Sequence, residues 1–215
     1  MPSYEGFEIK DVVHRGARST VLRAVRRADD VPVVLKHPTT DVPSAGTLRR
    51  LRYELDVGAR LATRSGLPYL GEHRFGTSAA IVMEDLGAVD LERRFGNTRV
   101  PLAEWLVLAR KIALALADLH ALGFAHGDVK PANVLSTVYG RVMLCDFGNS
   151  LTLGASRRFA SLGGTLAYIP PEQTGRTDRD LDHRADLYSL GATLFQLLVG
   201  RLPFDYDDPL ALLHA

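Results

Sequence analysis

The chain has 215 residues, of which 46% are hydrophobic and 24% charged, and its formal net charge is +1 at pH 7. This length and composition fit a soluble globular protein with a good core, and the charge gives no bias toward nucleic acid or an anionic membrane. The single cysteine, Cys145, excludes an internal disulfide and favours a reducing, cytoplasmic location. We find no internal repeat or low-complexity run.

A short apolar run near the start of the chain ends in a lysine. Val33-Val34-Leu35-Lys36 predicts a strand, because β-branched and apolar residues are enriched there. Lysine is scarce: the 26 basic residues include only Lys10, Lys36, Lys111 and Lys130. Lys36 ends the predicted strand, and Lys130 lies in a motif described below.

The next two elements are a helix and a second strand. Leu48 to Leu61 predicts a helix, because its leucines recur on related faces, and this helix carries Glu54. Ile81-Val82-Met83 then predicts a strand that runs into the acidic turn Glu84-Asp85-Leu86. The first part of the chain is therefore predicted to contain strands and one main helix.

A long amphipathic pattern from Leu102 to Leu122 predicts a second helix, which Gly123 ends. Farther along, the segment from Leu187 to Gly200 contains no charged residue. Its length suits a buried core helix and is too short to span a bilayer. We therefore expect the second half of the chain to be mainly helical, without a membrane span.

Two short loops after the second predicted helix carry the residues with the clearest chemistry. The first reads His126-Gly127-Asp128-Val129-Lys130-Pro131-Ala132-Asn133, and the second reads Asp146-Phe147-Gly148. Mg²⁺ prefers few protein oxygens together with phosphate oxygens and water, which suits Asn133 and Asp146. Asp128 can then accept a proton from an attacking hydroxyl. The pattern predicts a phosphoryl-transfer site.

These motifs, with the segment from Gly164 to Glu172 and with Asp186-Leu187-Tyr188-Ser189-Leu190-Gly191, resemble eukaryotic-type serine/threonine protein kinases. The resemblance implies an α+β, bilobal fold. Residues 1–87 would form a small antiparallel β lobe with one main helix, and residues 88–215 a larger, mainly helical lobe whose final helices are missing. The linker would lie near Asp85 to Asp90.

The resemblance also implies roles for the charged residues. Lys36, paired with Glu54, would hold the α- and β-phosphates of ATP. Asp128 would position a Ser or Thr hydroxyl, and Lys130 would meet the γ-phosphate. The remaining implied roles are Mg²⁺ binding by Asn133 and Asp146, substrate contact near Thr165, and anchoring of the catalytic-loop backbone by Asp186.

The resemblance to protein kinases also implies that residues of the strands and of the acidic turn bind the nucleotide. Met83 would border the back of the adenine pocket, the backbone from Glu84 to Leu86 would bind the base, and apolar residues would cover its faces. The implied nucleotide contacts are Gly16, Val21, Val34, Lys36, Met83, Glu84, Leu86 and Leu135.

Two motifs depart from the family's pattern. The glycine-rich loop, G-x-G-x-x-G-x-V, corresponds here to His14, Gly16, Ser19 and Val21, so one glycine remains for the approach to phosphate. Gly127 replaces the arginine that usually precedes the catalytic aspartate. Since that arginine commonly holds a phosphorylated activation loop, we expect activity that does not need loop phosphorylation through that contact.

Three functional classes are compatible with the sequence. The first is an ATP-dependent protein serine/threonine kinase with a protein substrate. The second is a small-molecule phosphotransferase of the aminoglycoside- or choline-kinase type, and the third is a pseudokinase that acts as an interaction module. The stretches Pro171 to Arg176, Asp182 to Asp186 and Asp208 to Leu210 also resemble the N-terminal kinase-like module of large bacterial signalling proteins, whose own downstream domains would be possible substrates; a free-standing bacterial kinase is the alternative.

Overall fold

The computed structural model of the protein describes residues 4–62, 64–154, 165–174 and 182–204. The chain divides into two compact units, Met1–Gly87 and Ala88–Ala215. Residues 155–164, which include Gly164 at the start of the segment from Gly164 to Glu172, lie outside the described residues. So do Gly175, Arg176 and the stretch from Asp208 to Ala215.

The first unit contains a five-stranded antiparallel sheet. Strand β3 is central, and the order across the sheet is β1-β2-β3-β5-β4. Most of the buried positions of these strands carry apolar residues, as expected for strands with one face packed on a core. The strands are β1 (Phe7–Arg15), β2 (Ser19–Arg26), β3 (Val31–Pro38), β4 (Tyr69–Phe75) and β5 (Ser78–Glu84).

Strand alternation divides the residues of this sheet between its two faces. Leu22, Leu35 and Val82 stand opposite one another in the register and belong to one buried apolar cluster. Because neighbouring residues in a strand point to opposite faces, Val34 and Lys36 point away from that cluster. The full cluster comprises Phe7, Leu22, Ala24, Val33, Leu35, Ala80 and Val82.

Helix α1 (Ala45–Ala62) contacts β4 and β5. It begins three residues before the predicted start, because the Ser44 hydroxyl accepts a hydrogen bond from the Thr47 amide at 3.1 Å and so caps the first turn. Leu48 and Leu55 of the predicted leucine pattern are only half-buried, whereas the buried residues of the helix recur at helical spacing. These buried residues are Leu51, Glu54, Val57, Gly58 and Leu61.

The second unit is mainly helical. Its helices are α2 (Leu91–Phe95), α3 (Leu102–Ala121) and α4 (His183–Val199), and α3 contacts α4. Short antiparallel pairs join β6 (Val89–Asp90), β8 (Val134–Ser136) and β9 (Val142–Leu144) in one sheet and β7 (Phe124–Ala125) with β10 (Leu151–Thr152) in another. Among the described residues, no helix combines the length and apolar character that crossing a membrane requires.

The ends of α3 and α4 follow from local chemistry. Gly123 has a φ of +83° and donates its amide to the His120 carbonyl, which ends α3 as predicted. Helix α4 begins before the uncharged stretch because the Asp182 carboxylate accepts from the Arg184 amide at 2.8 Å. Helix α3 leads into the loop that carries Asp128.

Candidate active site

Lys36 and Glu54 form the predicted ion pair in the first unit. The Lys36 Nζ atom lies 2.6 Å from Glu54 Oε1 and 2.8 Å from Oε2. Both residues are buried, with relative exposures of 8% and 4%. Strand β3 turns Lys36 away from the apolar cluster, and α1 presents Glu54 on its buried face, so the sheet register and the helix spacing together produce the contact.

The sheet register also groups four of the predicted nucleotide contacts. Val21 stands opposite Lys36, and Met83 stands opposite Val34. Residues opposite each other in a sheet share a face, as do residues two apart in one strand. Val21, Val34, Lys36 and Met83 therefore lie on one face of the sheet.

The turn after β5 and the turn between β1 and β2 are both tied to their own unit. Glu84 donates its amide to the Pro68 carbonyl at 3.0 Å, and Asp85 donates to Pro32 at 3.2 Å. Gly16 donates its amide to Ser19 at 2.9 Å and accepts a bond from the Thr39 hydroxyl at 3.0 Å. The roles of Gly16, Glu84 and Leu86 toward a nucleotide stay predictions.

Asp186 anchors the loop that contains Asp128. Its Oδ2 atom accepts from the His126 amide at 2.7 Å, and its Oδ1 atom accepts from the Gly127 amide at 2.8 Å. The His120 ring also contacts Oδ2 at 2.8 Å. Because Asp186 is fully buried, these bonds form away from water, and they confirm the predicted contact with the loop backbone.

His126 fills the space under the same loop. Its ring is fully buried, accepts from the Asp128 amide at Nδ1 over 3.3 Å and contacts the Cys145 carbonyl from Nε2 over 3.1 Å. This pattern fits the tautomer with its proton on Nε2. The ring also lies 5.3 Å from the Phe147 ring, so His126 connects the two loops that carry Asp128 and Asp146.

The Asp128 carboxylate receives three donors. Lys130 Nζ and Asn133 Nδ2 each lie 3.0 Å from Oδ2, and the Thr165 amide lies 3.2 Å from Oδ1. Lys130 also donates to the Thr165 hydroxyl at 2.7 Å. Asp128, Lys130 and Thr165 thus form one polar cluster, although 35 positions separate Lys130 from Thr165 along the chain.

Strand pairing brings the two predicted metal-binding residues together. Asn133 directly precedes β8, Asp146 follows β9, and Val134 stands opposite Leu144 in this antiparallel pair. The Cys145 amide donates to the Asn133 carbonyl at 3.0 Å, which extends the pairing by one step. The side-chain nitrogen of Asn133, Nδ2, also donates to the Asp128 backbone carbonyl at 2.7 Å, so the side-chain oxygen of Asn133 points away from Asp128.

Gly127 occupies a place that a side chain cannot enter without rearrangement. Its φ is +74°, and a Cβ atom there would lie 2.7 Å from the Asn149 carbonyl oxygen. An arginine at this position would face both backbone strain and a collision. Gly127 thus occupies a backbone conformation and a space that favour glycine.

Sequence reasoning missed three further residues that hold this region. Ser189 donates to the Tyr168 carbonyl at 2.8 Å, Thr193 donates to the Val129 carbonyl at 3.3 Å, and Gln196 accepts from the Tyr168 hydroxyl. With Asp186 they form a buried polar stripe on α4 at spacings of three and four residues. That spacing of polar residues in an otherwise apolar helix is the signal that could have revealed them.

Burial raises the pKa of Tyr168 to about 12, with added contributions from the negative charges of Glu92 and Asp128 and an opposing one from the bond to Gln196. The hydroxyl therefore keeps its proton at neutral pH and remains a donor. It ties the segment after Thr165 to α4.

Comparison with known proteins identifies the family. A family model for the protein kinase domain matches residues 7–213. The serine/threonine-protein kinase PknL of Mycobacterium tuberculosis is 35% identical over 207 residues, which cover 93% of this chain and 50% of the relative. The serine/threonine-protein kinase PksC of Streptomyces coelicolor is 32% identical over an alignment of 223 residues, which covers 97% of this chain and 40% of the relative.

A vertebrate relative, Aurora kinase A-B of Xenopus laevis, is 30% identical over 205 residues, which cover 94% of this chain and 50% of that protein. The chain thus spans about half the length, or less, of these relatives. With a family model that covers nearly all of its residues, the chain belongs to the protein kinase domain family.

Proposed function

We propose that the protein is an ATP-dependent serine/threonine kinase that transfers the γ-phosphate of ATP to a hydroxyl of a protein substrate. The observation that carries the proposal is the convergence of Lys130, Asn133 and the Thr165 amide on the Asp128 carboxylate. These contacts fix the carboxylate on a buried loop. A fixed carboxylate beside a lysine is suited to orient a hydroxyl and accept its proton during phosphoryl transfer.

The donor set around Asn133 fits Mg²⁺. Its side-chain nitrogen is engaged by Asp128, so its side-chain oxygen is the atom left to face a cation, and Asp146 supplies a carboxylate shortly after the paired strand β9. Mg²⁺, when bound, would neutralise charge on the phosphates. Lys130 adds a positive charge beside Asp128 that can meet the transferring phosphoryl group.

In the first unit, we propose that Lys36 contacts the α- and β-phosphates while Glu54 holds its ammonium group in place. Val21, Val34 and Met83 share the sheet face with Lys36 and would supply apolar contacts to the nucleotide. The Glu84 amide is engaged within the unit, which points to the Glu84 carbonyl and the Leu86 amide as the groups for adenine. Leu135, half-buried on β8, and Gly16 complete the proposed set.

Two observations support serine and threonine as acceptors. Lys130 bridges Asp128 and Thr165, which places a threonine hydroxyl and a lysine beside the proposed proton acceptor. The relatives PknL and PksC carry the name serine/threonine-protein kinase. We propose a bacterial, cytoplasmic signalling role on the same comparison, with the downstream domains of a longer protein among the possible substrates.

A radiolabelled-ATP assay tests the proposal against its alternatives. The protein is incubated with Mg²⁺ and labelled ATP in three parallel reactions. The first contains a generic basic protein, the second contains a panel of aminoglycosides and choline, and the third contains no acceptor and measures nucleotide binding. We expect label in the protein substrate. Label in a small molecule would identify the phosphotransferase class, and nucleotide binding without transfer would identify the pseudokinase class.

The Asp128→Asn variant is the internal blank, because it keeps the size of the side chain while removing its ability to accept a proton. We expect transfer to fall by about three orders of magnitude with nucleotide binding retained. Lys130→Ala should lose less, since it removes one point charge. Transfer that survives Asp128→Asn would overturn the catalytic assignment.

A further inference from the structure

Helix α1 packs against the ring of Tyr69, the first residue of β4, at Gly58. A Cβ atom at this position would lie 2.4 Å from Cε2 and Cζ of Tyr69 and 2.8 Å from its Cδ2. Real Cβ atoms do not approach other carbons this closely, so the ring of Tyr69 rests on the bare helix backbone. Gly58 lies in the interior of α1, where glycine is disfavoured, and this contact gives its presence a structural reason.

Gly58 shares a helix face with Glu54. The two residues are four apart, so they are neighbours on the buried side of α1. Any displacement of the helix at Gly58 therefore moves the carboxylate of Glu54. Since Glu54 lies 2.6 Å from Lys36, a shift of a fraction of an ångström is enough to lengthen the ion pair.

Tyr69 is connected to Lys36 through the sheet. It opens β4 and stands opposite Met83 of β5, which in turn stands opposite Val34 of β3. Val34 and Lys36 are two residues apart on the same face of that strand. The ring thus contacts the helix from a framework that is hydrogen-bonded to the strand bearing the lysine.

We propose that Gly58 and Tyr69 are positioning residues: the Tyr69 ring, seated on the Gly58 backbone, sets the distance of α1 from the sheet and so holds Glu54 within reach of Lys36. A second connection, from Arg52 to Glu72 at 2.8 and 3.2 Å, joins the same helix to β4 on the exposed side. The Gly58 contact is the buried one, and it determines how close the helix lies. Its importance for catalysis rests on the proposed kinase function, whereas its effect on the ion pair does not.

The experiment measures the ion pair without requiring turnover. Whole protein is treated briefly with an amine-reactive acylating reagent, and labelling of each lysine is quantified by peptide mass spectrometry. Lys36 should react slowly, because its ammonium group is bonded to both carboxylate oxygens of Glu54. Glu54→Gln sets the labelling level of a broken pair, and the exposed Lys10 is the internal reference.

We expect Gly58→Ala to raise labelling of Lys36 toward the Glu54→Gln level and to lower the melting temperature. A glycine-to-alanine change inside a helix ordinarily raises stability, so a lower melting temperature is the opposite of what helix propensity alone predicts. The matched control is Gly46→Ala in the first turn of the same helix, where the added Cβ would meet only Ser44 Oγ at an ordinary 3.6 Å. That control should leave Lys36 labelling unchanged.

A second substitution tests whether the ring is the cause. Tyr69→Val removes every ring atom that the new methyl group would meet, so Gly58→Ala with Tyr69→Val should restore slow labelling of Lys36. If Gly58→Ala fails to fold, folding of the double variant supports the proposal and its failure to fold rejects it. Unchanged labelling in Gly58→Ala, or raised labelling that Tyr69→Val does not reverse, would overturn the proposal.

Turnover provides an independent readout. If the proposed kinase function holds, kcat/KM for ATP should fall about 10- to 100-fold in Gly58→Ala and recover in the double variant. If the wild type transfers no phosphate, the kinase proposal fails while the labelling result still decides the positioning role. The two failures are therefore distinguishable.

Discussion

The two compact units hold their charged residues by different means. In the first unit, Lys36 and Glu54 stand on a regular strand and a regular helix, and each is the other's close partner. In the second unit, Asp128 lies on a loop whose backbone is held by Asp186 and whose carboxylate is held by neighbouring side chains. Regular elements position a pair through register and spacing, whereas an irregular loop needs buried polar anchors to hold its backbone.

The largest effect on stability should come from breaking the pair in the first unit. Lys36→Met leaves the Glu54 carboxylate buried beside an apolar side chain, and loss of one partner of a buried ion pair costs about 3–5 kcal/mol. Urea unfolding of the whole protein measures this loss. The double variant Lys36→Met with Glu54→Leu should recover much of it, and a double variant as unstable as the single one would contradict the explanation.

The anchor of the loop in the second unit should come next. Asp186→Asn keeps the shape of the side chain but turns an amide group toward the amides of His126 and Gly127 and the ring of His120. We expect a loss of about 2–3 kcal/mol in unfolding free energy, because charge-assisted bonds to buried donors are lost. Asp182→Asn, at the start of α4, is the control: Asn caps a helix about as well as Asp. Equal losses in the two variants would argue against a special role for Asp186.

Gly127→Ala should lower the unfolding free energy by a smaller amount, about 1–3 kcal/mol, because the added Cβ atom brings strain at a positive φ and a collision with the Asn149 carbonyl. Gly123→Ala separates the two causes, since Gly123 has a φ of +83° and nothing within 4 Å of the added Cβ. The excess loss at Gly127, measured by thermal unfolding, reports the collision. No excess would mean that the loop can shift away from Asn149.

The smallest effect concerns a surface ion pair of the first unit. The hydrogen bond from Arg52 lowers the pKa of Glu72, with help from Arg74, and partial burial opposes the shift. A carboxyl group whose pKa is lowered by folding stabilises the protein above its ordinary pKa of 4.5, and that stability is lost as the pH falls through the lowered value. Glu72→Gln should therefore cost less than about 1 kcal/mol at pH 7, since Arg52 is largely exposed.

Urea unfolding at a series of pH values checks this prediction. The difference between wild type and Glu72→Gln should shrink as the pH falls below 4.5. A difference that stays constant with pH would show that the charge of Glu72 is not its source.

The same contrast explains what the sequence could predict. The Lys36–Glu54 pair was predictable, because the resemblance to protein kinases implies a lysine at the end of this strand paired with a glutamate of the following helix. The boundaries of α3 followed from its apolar period and from Gly123. The earlier starts of α1 and α4 depend on Ser44 and Asp182, local capping residues that an apolar pattern does not include.

Other features depend on residues far apart in the chain and were not predictable from local pattern. Ser189, Thr193 and Gln196 gain their roles only when α4 meets the loops that they hold. Gly127, with its left-handed backbone, lies against the Asn149 carbonyl, and Gly58 lies against the ring of Tyr69. Sequence locates residue types along an element, while these contacts depend on which elements pack together.

The central proposal is that Asn133 and Asp146 hold a divalent cation for the phosphates of ATP. The most direct test is ATP affinity, measured with Mg²⁺ and with a chelator, in the wild type, in Asp146→Asn and in Lys130→Ala. We predict that Mg²⁺ strengthens ATP binding in the wild type and in Lys130→Ala and gives no gain in Asp146→Asn. An equal gain from Mg²⁺ in a folded Asp146→Asn variant would contradict the account.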